Sequence, residues 1–240
     1  MSGRVPDQPV HLALSLQRWE HLTFVHWRYP PAALTALVPP GLRLQLLDGS
    51  AWVGLTPFAL VDLRVPVLPP VPGWSTFAET NLRTYVTDGR RDGVLFLRVH
   101  CARRLVTAGF RAGLGLPYAF VRGAVRPGRG TTTYEAPGTR VVTEIGDPLE
   151  PDPLVASLTG RWSAFSHHLG ALLRVPVEHE AWPLHDARVS RVTTDLFRKS
   201  GIPDPRGEPL VHWSPRVDVR IGPPRLRPTW PRARRDGWGR

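Results

Sequence analysis

The sequence predicts an α+β fold built on a dominant antiparallel sheet, and three observations lead there. Short segments with period-two alternation recur along the chain, bounded by Gly, Pro and Asp. Regular helices do not separate them, and the stretches with helical spacing are few. Strands without intervening helices argue against a doubly wound parallel sheet and for an antiparallel barrel or sandwich.

In chain order, "HLTFVHWR" (21–28) opens the series of strands. "PPAALTALVPP" (30–40) follows as a helix, with prolines suited to a first turn and a stop at Pro39 and Pro40. "LRLQLL" (42–47) and "AWVGLTPF" (51–58) alternate again as strands. The run "VPVLPPVPGW" (65–74) is too apolar for a free linker and too rich in Pro for a central strand. It reads as a loop packed on the sheet or a flap over a pocket mouth, the packed loop being the commoner case.

Strands resume at "ETNLRTYV" (79–86) and "GVLFLRVH" (93–100). "ARRLVTAGFRAGLG" (102–115) has apolar residues at helical spacing and ends at Gly113 and Gly115. "TTTYEA" (131–136) and "TRVVTEI" (139–145) are strands, and "PLVASLTGRWSAFSHHLGALL" (153–173) reads as one helix, or two broken near Gly160. "VTTDLFRKSG" (192–201) is a short helix stopped by Gly201, and "RVDVRIG" (216–222) is the last strand. With no repeat and no composition break before about residue 222, a single domain over 1–222 is expected. Residues 223–240 read as a disordered basic tail rich in Pro, Arg and Trp.

At 240 residues one core suffices for stability without disulfide or metal. The single cysteine, Cys101, excludes an intramolecular disulfide and any multi-Cys metal cluster. Neither a signal-peptide core nor a run of about 18 apolar residues is present, so a cytoplasmic protein without membrane contact is expected. The net charge is +11, yet residues 221–240 carry six Arg against one Asp, and the rest of the excess is scattered among acidic neighbours. That distribution fits a solvated tail better than a nucleic-acid surface. An interaction protein whose Arg-rich tail meets an acidic partner or nucleic acid stays as the alternative, and oligomeric state is left open.

Chemical motifs are mostly missing. The hydrolase elbow G-x-S-x-G, the Walker phosphate loop and a strand-turn-helix G-x-G-x-x-G are all absent. His167 and His168 are adjacent and point apart, and "EHEAWPLH" (178–185) offers only loose ligand chemistry through His179 and His185. Scattered surface or interface histidines are the better reading, and no metal or other cofactor is expected. One strand face does stand out: Glu79, Asn81, Arg83 and Tyr85 alternate with Thr80, Leu82, Thr84 and Val86. Such a face usually meets solvent. In a closed sheet it lines a cavity instead, where Glu79 and Arg83 form a charge pair that orients a carbonyl or carboxylate. By the same alternation Arg98 and His100 fall with Phe96 and Val94 and join the ligand-binding candidates.

The series "FVHWRYPPAALTALVPPGLRL", "DGSAWVGLTPF", "LPPVPGWSTFAETNLRTYV", "GVLFLRVHCARRLVTAGFRAGLGLPY" and "LVHWSPRVDVRI" resembles the YqjF-like bacterial proteins, the domain of unknown function 2071, over about residues 15–222. That family is related to acetoacetate decarboxylase. The resemblance implies a β-barrel-like cone of antiparallel strands with a few external helices and a central pocket for a small-molecule ligand. In the decarboxylases a glycine and a proline precede two lysines, the first forming a Schiff base and the second lowering its pKa. Here the matching stretch is "GLPYA", with Tyr118 and Ala119 in their place. A phenol forms no imine, and arginine stays protonated. Lys199, the one lysine of the chain, reads as the exposed last turn of a helix. Glu79 resembles the decarboxylase glutamate. The resemblance thus implies a retained pocket in which Tyr118, assisted by Glu79 and Arg83, acts as hydrogen-bond donor or general acid on a carbonyl, or a pocket that only binds its ligand, or a Tyr118 that merely fills the space left by the lysines, its hydroxyl bonded to Glu79. Lyase- or hydratase-like chemistry without a Schiff base is compatible with the first; acetoacetate decarboxylation is not expected.

Overall fold

The computed structural model describes residues 5–227. The elements are, in chain order, β1 (Ser15–Tyr29), α1 (Ala32–Thr35), β2 (Arg43–Leu44), β3 (Ala51–Arg64), β4 (Phe77–Thr87), β5 (Asp92–Cys101), α2 (Arg104–Leu114), β6 (Tyr118–Phe120), β7 (Ala124–Gly128), β8 (Thr131–Ala136), β9 (Thr139–Pro148), α3 (Pro153–Thr159), β10 (Ser163–His168), β11 (Ala171–His179), β12 (His185–Thr194), α4 (Leu196–Lys199), β13 (Leu210–Ile221) and β14 (Arg225–Arg227).

All strands join one sheet. Its path β11-β10-β5-β4-β3-β1-β13 returns on itself because β11 also pairs β13, at Val177↔Ile221 and His179↔Val219. The result is a hydrogen-bonded ring with an inside and an outside. It is not an even antiparallel barrel, since β10 and β6 both run parallel to β5 and share its free edge. From β13 the sheet continues through β12, β9, β8 and β7, which fold back over the outside of the ring. There Tyr134, Val141, Leu196 and Phe197 pack with Val25, Val53, Leu55 and Leu82.

This second layer explains a property of β4 that alternation alone does not reveal. Its outward residues Thr80, Leu82 and Thr84 are as fully buried as its inward ones. The polar set Glu79, Asn81, Arg83 and Tyr85 therefore faces the closed interior rather than solvent.

Several expectations are corrected. The helix expected over 153–173 stops at Thr159, with Asp152 capping its start through the Val155 N–H at 2.8 Å. Residues beyond it form the β10–β11 hairpin, turned by Leu169 and Gly170 at φ 49° and 79°. Two positive φ values match the hairpin turn type that follows strand twist, but Leu in that position gives no turn signal in the sequence. The helix expected over 30–40 keeps one turn, 32–35, and that over 192–201 keeps 196–199 because 192–194 finish β12. Segment 65–74 is an exposed β3–β4 connection, with Val65, Val67, Leu68 and Val71 largely in solvent; only its end is tied down, by Arg103 donating to the carbonyls of Gly73, Trp74 and Thr76. Within the stretch 223–240 expected as a disordered tail, Arg225–Arg227 pair with β11, and Arg227 meets Asp88 at 2.5 Å. The rest of that tail, 228–240, lies outside the described residues. Among the described residues no helix is long and apolar enough to cross a membrane.

Candidate functional site

Tyr118 owes its position to the chain leaving α2. Gly115 ends that helix in the left-handed region at φ 63°, and its N–H returns to the Arg111 carbonyl while the Leu116 N–H returns to Phe110. A side chain there would also meet His168 Cβ at 2.8 Å. Pro117 then sends the chain into β6 beside Val99, so Tyr118 enters the ring interior, its ring centre 4.9 Å from that of Phe110.

Cross-strand pairing places the other candidates in rows on the inner face. One row holds Phe58, Glu79 and Cys101, the next Thr56, Asn81 and Val99, and the next Gly54, Arg83 and Phe96. The Tyr118 hydroxyl lies 3.3 Å from Glu79 Oε1, both side chains being buried. They open onto a cavity of about 80 Å³ with Thr56 and Asn81, walled by apolar side chains including Trp19, Phe58, Phe96 and Phe110. Three of its polar atoms, Thr56 Oγ1, Glu79 Oε2 and Asn81 Oδ1, are buried without a protein partner.

Burial pushes the Glu79 carboxyl up to about 8, with the Tyr118 hydrogen bond opposing the shift. Burial, and then the Glu79 charge, pushes the Tyr118 phenol well above its usual value. At neutral pH both are therefore protonated, with Tyr118 donating to Glu79 Oε1 and Oε2 left without a protein partner. Cys101, beside Glu79, has a thiol raised to about 12 by burial and the neighbouring carboxyl, which makes it unreactive.

Arg83 and Tyr85 lie further along the same inner face and do not reach this cavity. The expected Glu79–Arg83 charge pair does not form; the Arg83 guanidinium stacks 5.4 Å from the Phe24 ring centre. Tyr85 bonds His26 Nε2 at 2.6 Å, under the Arg161 guanidinium.

Arg98 and His100 are not in the interior at all. A β-bulge shifts the β4–β5 register between Leu82↔Arg98 and Arg83↔Phe96, so Leu97 and Arg98 both face outward and the alternation inverts beyond them. Arg98 donates to the Lys199 carbonyl at 2.8 Å, and His100 sits near Lys199 and Asp195 with its pKa lowered to about 4, mainly by burial. Lys199 itself is ion-paired to Asp195 at 2.8 Å on this outer side.

Sequence reasoning missed Arg161, His26 and His179. It read His179 as scattered surface chemistry, whereas the structure buries it among Trp19, Trp162 and Trp182. No periodic signal marks Arg161, because it precedes β10 in a stretch that reads as helix. Among the described residues no group of three or more His, Cys, Asp or Glu is placed to hold a metal ion.

Comparison with known proteins agrees with this architecture. The family model DUF2071, described as "Uncharacterized conserved protein", matches residues 16–218. YqjF of Bacillus subtilis (strain 168) is 31% identical over 217 residues, covering 86% of this chain and 90% of that protein. Among solved structures, the enduracididine biosynthesis enzyme MppR with HEPES buffer bound superposes with a TM-score of 0.65 at 13% identity, over 94% of this chain and 92% of that one. An acetoacetate decarboxylase-like enzyme from Sphingomonas wittichii RW1 gives 0.63 at 15% identity, over 94% and 97%. At such identities the likeness is one of fold.

Proposed function

Since the chain belongs to the DUF2071 family and has an acetoacetate decarboxylase-like fold, we propose that its interior cavity binds a small carbonyl or carboxylate compound through Glu79 and Tyr118, without a Schiff base. The observation that carries this reading is the buried, unpartnered Oε2 of a carboxyl that burial keeps neutral. A neutral acid in an apolar wall donates to a carbonyl oxygen, and Tyr118 fixes its orientation. A tyrosine paired with a protonated carboxylic acid is a known way to stabilise negative charge developing on such an oxygen.

A cavity of about 80 Å³ is roughly half of one that accommodates benzene, so the ligand has about three to five non-hydrogen atoms inside it. Absence of imine chemistry is supported by Tyr118 at the lysine position and by Lys199 being engaged with Asp195. Tyr118 and Glu79 are also the only titratable side chains among the described residues lining the cavity. That favours, as the second reading, a protein that binds and polarises its ligand without turning it over, since no base stands ready to accept a proton.

The test is calorimetric titration of the purified protein with acetaldehyde, acetone, hydroxyacetone and 2-butanone across pH 6–9, each mixture then analysed for product. Binding below about pH 8 that weakens above it, becomes independent of pH in Glu79→Gln and disappears in Glu79→Leu supports the site. Equal affinity in the wild type and Glu79→Leu for every compound overturns it. Product formation separates the enzyme from the binder.

A further inference from the structure

We propose that the far end of the ring interior holds a second ligand site, independent of the Glu79 cavity, in which Arg83 and Arg161 bind a small oxyanion such as a carboxylate. Both arginines are more than nine-tenths buried, at 8% and 5% exposure. Each has the same two nitrogens, Nε and Nη2, buried with no protein partner. Those two nitrogens form the side-on fork of a guanidinium, the edge that matches the two oxygens of a carboxylate. Arg161 is held so that this edge stays free: its Nη1 donates to Gln45 Oε1 at 2.6 Å, and its Cζ lies 4.8 Å from the centre of the Tyr85 ring.

Neither fork, Nε with Nη2, is hydrogen-bonded to a carboxylate. The charge of Arg83 acts unfavourably on Arg161, and also on His26 and His179. Burial is the larger effect in all three. Both imidazoles are kept neutral as a result. Tyr85 and the Asp92 carboxylate favour the Arg161 cation, yet its pKa still falls to about 10, so they do not offset burial. Two guanidiniums that cannot shed their protons at neutral pH are thus confined together with four unused donor nitrogens. An oxyanion between the forks satisfies the donors and removes the repulsion. Neither arginine lines the carbonyl cavity: Phe24 lies under Arg83, its ring centre is 5.0 Å from Trp182, and Trp182 stacks on Trp19, which does line it.

The experiment uses the full chain at pH 7 and constant ionic strength, titrated with sodium formate, sodium acetate or sodium phosphate against sodium chloride, and reads calorimetric binding and melting temperature. In Glu79→Leu, which removes the carboxyl of the carbonyl cavity, saturable one-site binding of formate or acetate, with a rise in melting temperature that chloride does not give, is expected. In that background affinity should drop at least tenfold on adding Arg83→Gln or Arg161→Gln. Displacement of formate by phosphate would identify a free inorganic ion as an equal occupant; failure to displace it would restrict the site to carboxylates borne by organic ligands, and both keep the proposal. Stabilisation that never saturates, or that persists in both arginine variants, overturns it. Should those variants not fold, crystals of the wild type grown in selenate decide: anomalous selenium signal between the two forks supports the site, and its absence there, with formate binding also absent, rejects it.

Discussion

Glu79 and Arg83 stand on the same inward face of β4, four residues apart and equally enclosed, yet burial acts on them in opposite ways. The carboxyl escapes the cost of a buried charge by taking up a proton, so its pKa rises to about 8 and the cavity end becomes neutral. A guanidinium has no such escape near neutral pH. The Arg83 end keeps its charge, while burial, and after it the Arg83 charge, holds the neighbouring His26 and His179 neutral. One strand therefore carries a carboxyl that burial neutralises and a guanidinium that keeps its charge, and the type of ionisable group, rather than the depth of burial, decides which is which.

The largest expected effect comes from crowding the arginine end. A Cβ on Gly54 would lie 2.9 Å from His26 Cδ2 and 3.0 Å from the Tyr85 hydroxyl. Gly54→Val should destabilise the protein by about 3 kcal/mol in chemical denaturation. If the two ends are independent, it leaves the pH behaviour of the Glu79 end intact.

Next in size is that pH behaviour. A carboxyl whose folded pKa lies above its unfolded value stabilises the fold while protonated, and that contribution is lost as pH rises towards about 8. The depressed histidines act the other way, but their effect is confined to pH below about 6.5. Between pH 6.5 and 8.5 the wild type should lose about 2 kcal/mol relative to Glu79→Gln, read from urea midpoints at each pH. Parallel curves would mean that Glu79 is ionised in the fold, and the contrast with Arg83 would vanish.

Tyr118→Phe removes one buried hydrogen bond and should cost about 1 kcal/mol of stability. Because that bond lowers the Glu79 pKa, the midpoint of the pH-dependent loss should move upward in the variant. The smallest effect belongs outside the ring. Lys199→Met breaks a half-exposed pair with Asp195 and should change stability by no more than about 0.5 kcal/mol, with carbonyl binding unaltered. Loss of carbonyl binding in that variant would restore a role for the lysine.

Much of the sheet was legible because strands with one face against a core alternate in sequence: 21–28, 51–58, 79–86, 93–100, 131–136 and 139–145 all lie within strands, and 216–222 does up to Ile221. β10 and β11 were not, since "SAFSHHLGALL" mixes apolar residues at helical spacing with a Leu-Gly turn that carries no familiar signal. β12 packs Ala187, Val189 and Val192 on the outer layer, but the bulge between Val189 and Arg191 breaks the alternation that would mark it as a strand. The candidate site was legible in part. Tyr118 and Glu79 are brought together as the GLPYA and FAETNL motifs implied, while Arg98 and His100 are not, because one bulged residue inverts a strand's faces without changing its composition.

The sequence by itself determined the strand-rich class, the family likeness, the single lysine and the polar set on β4, all properties of local pattern. Only the tertiary structure decided that this polar face looks into a closed interior, that Glu79 is held neutral there, and that Arg161 arrives beside Arg83 from 78 residues away. The physical reason is that a side chain's charge and its access to water depend on what the ring encloses, and enclosure comes from long-range pairings such as β11 with β13 that no local window contains.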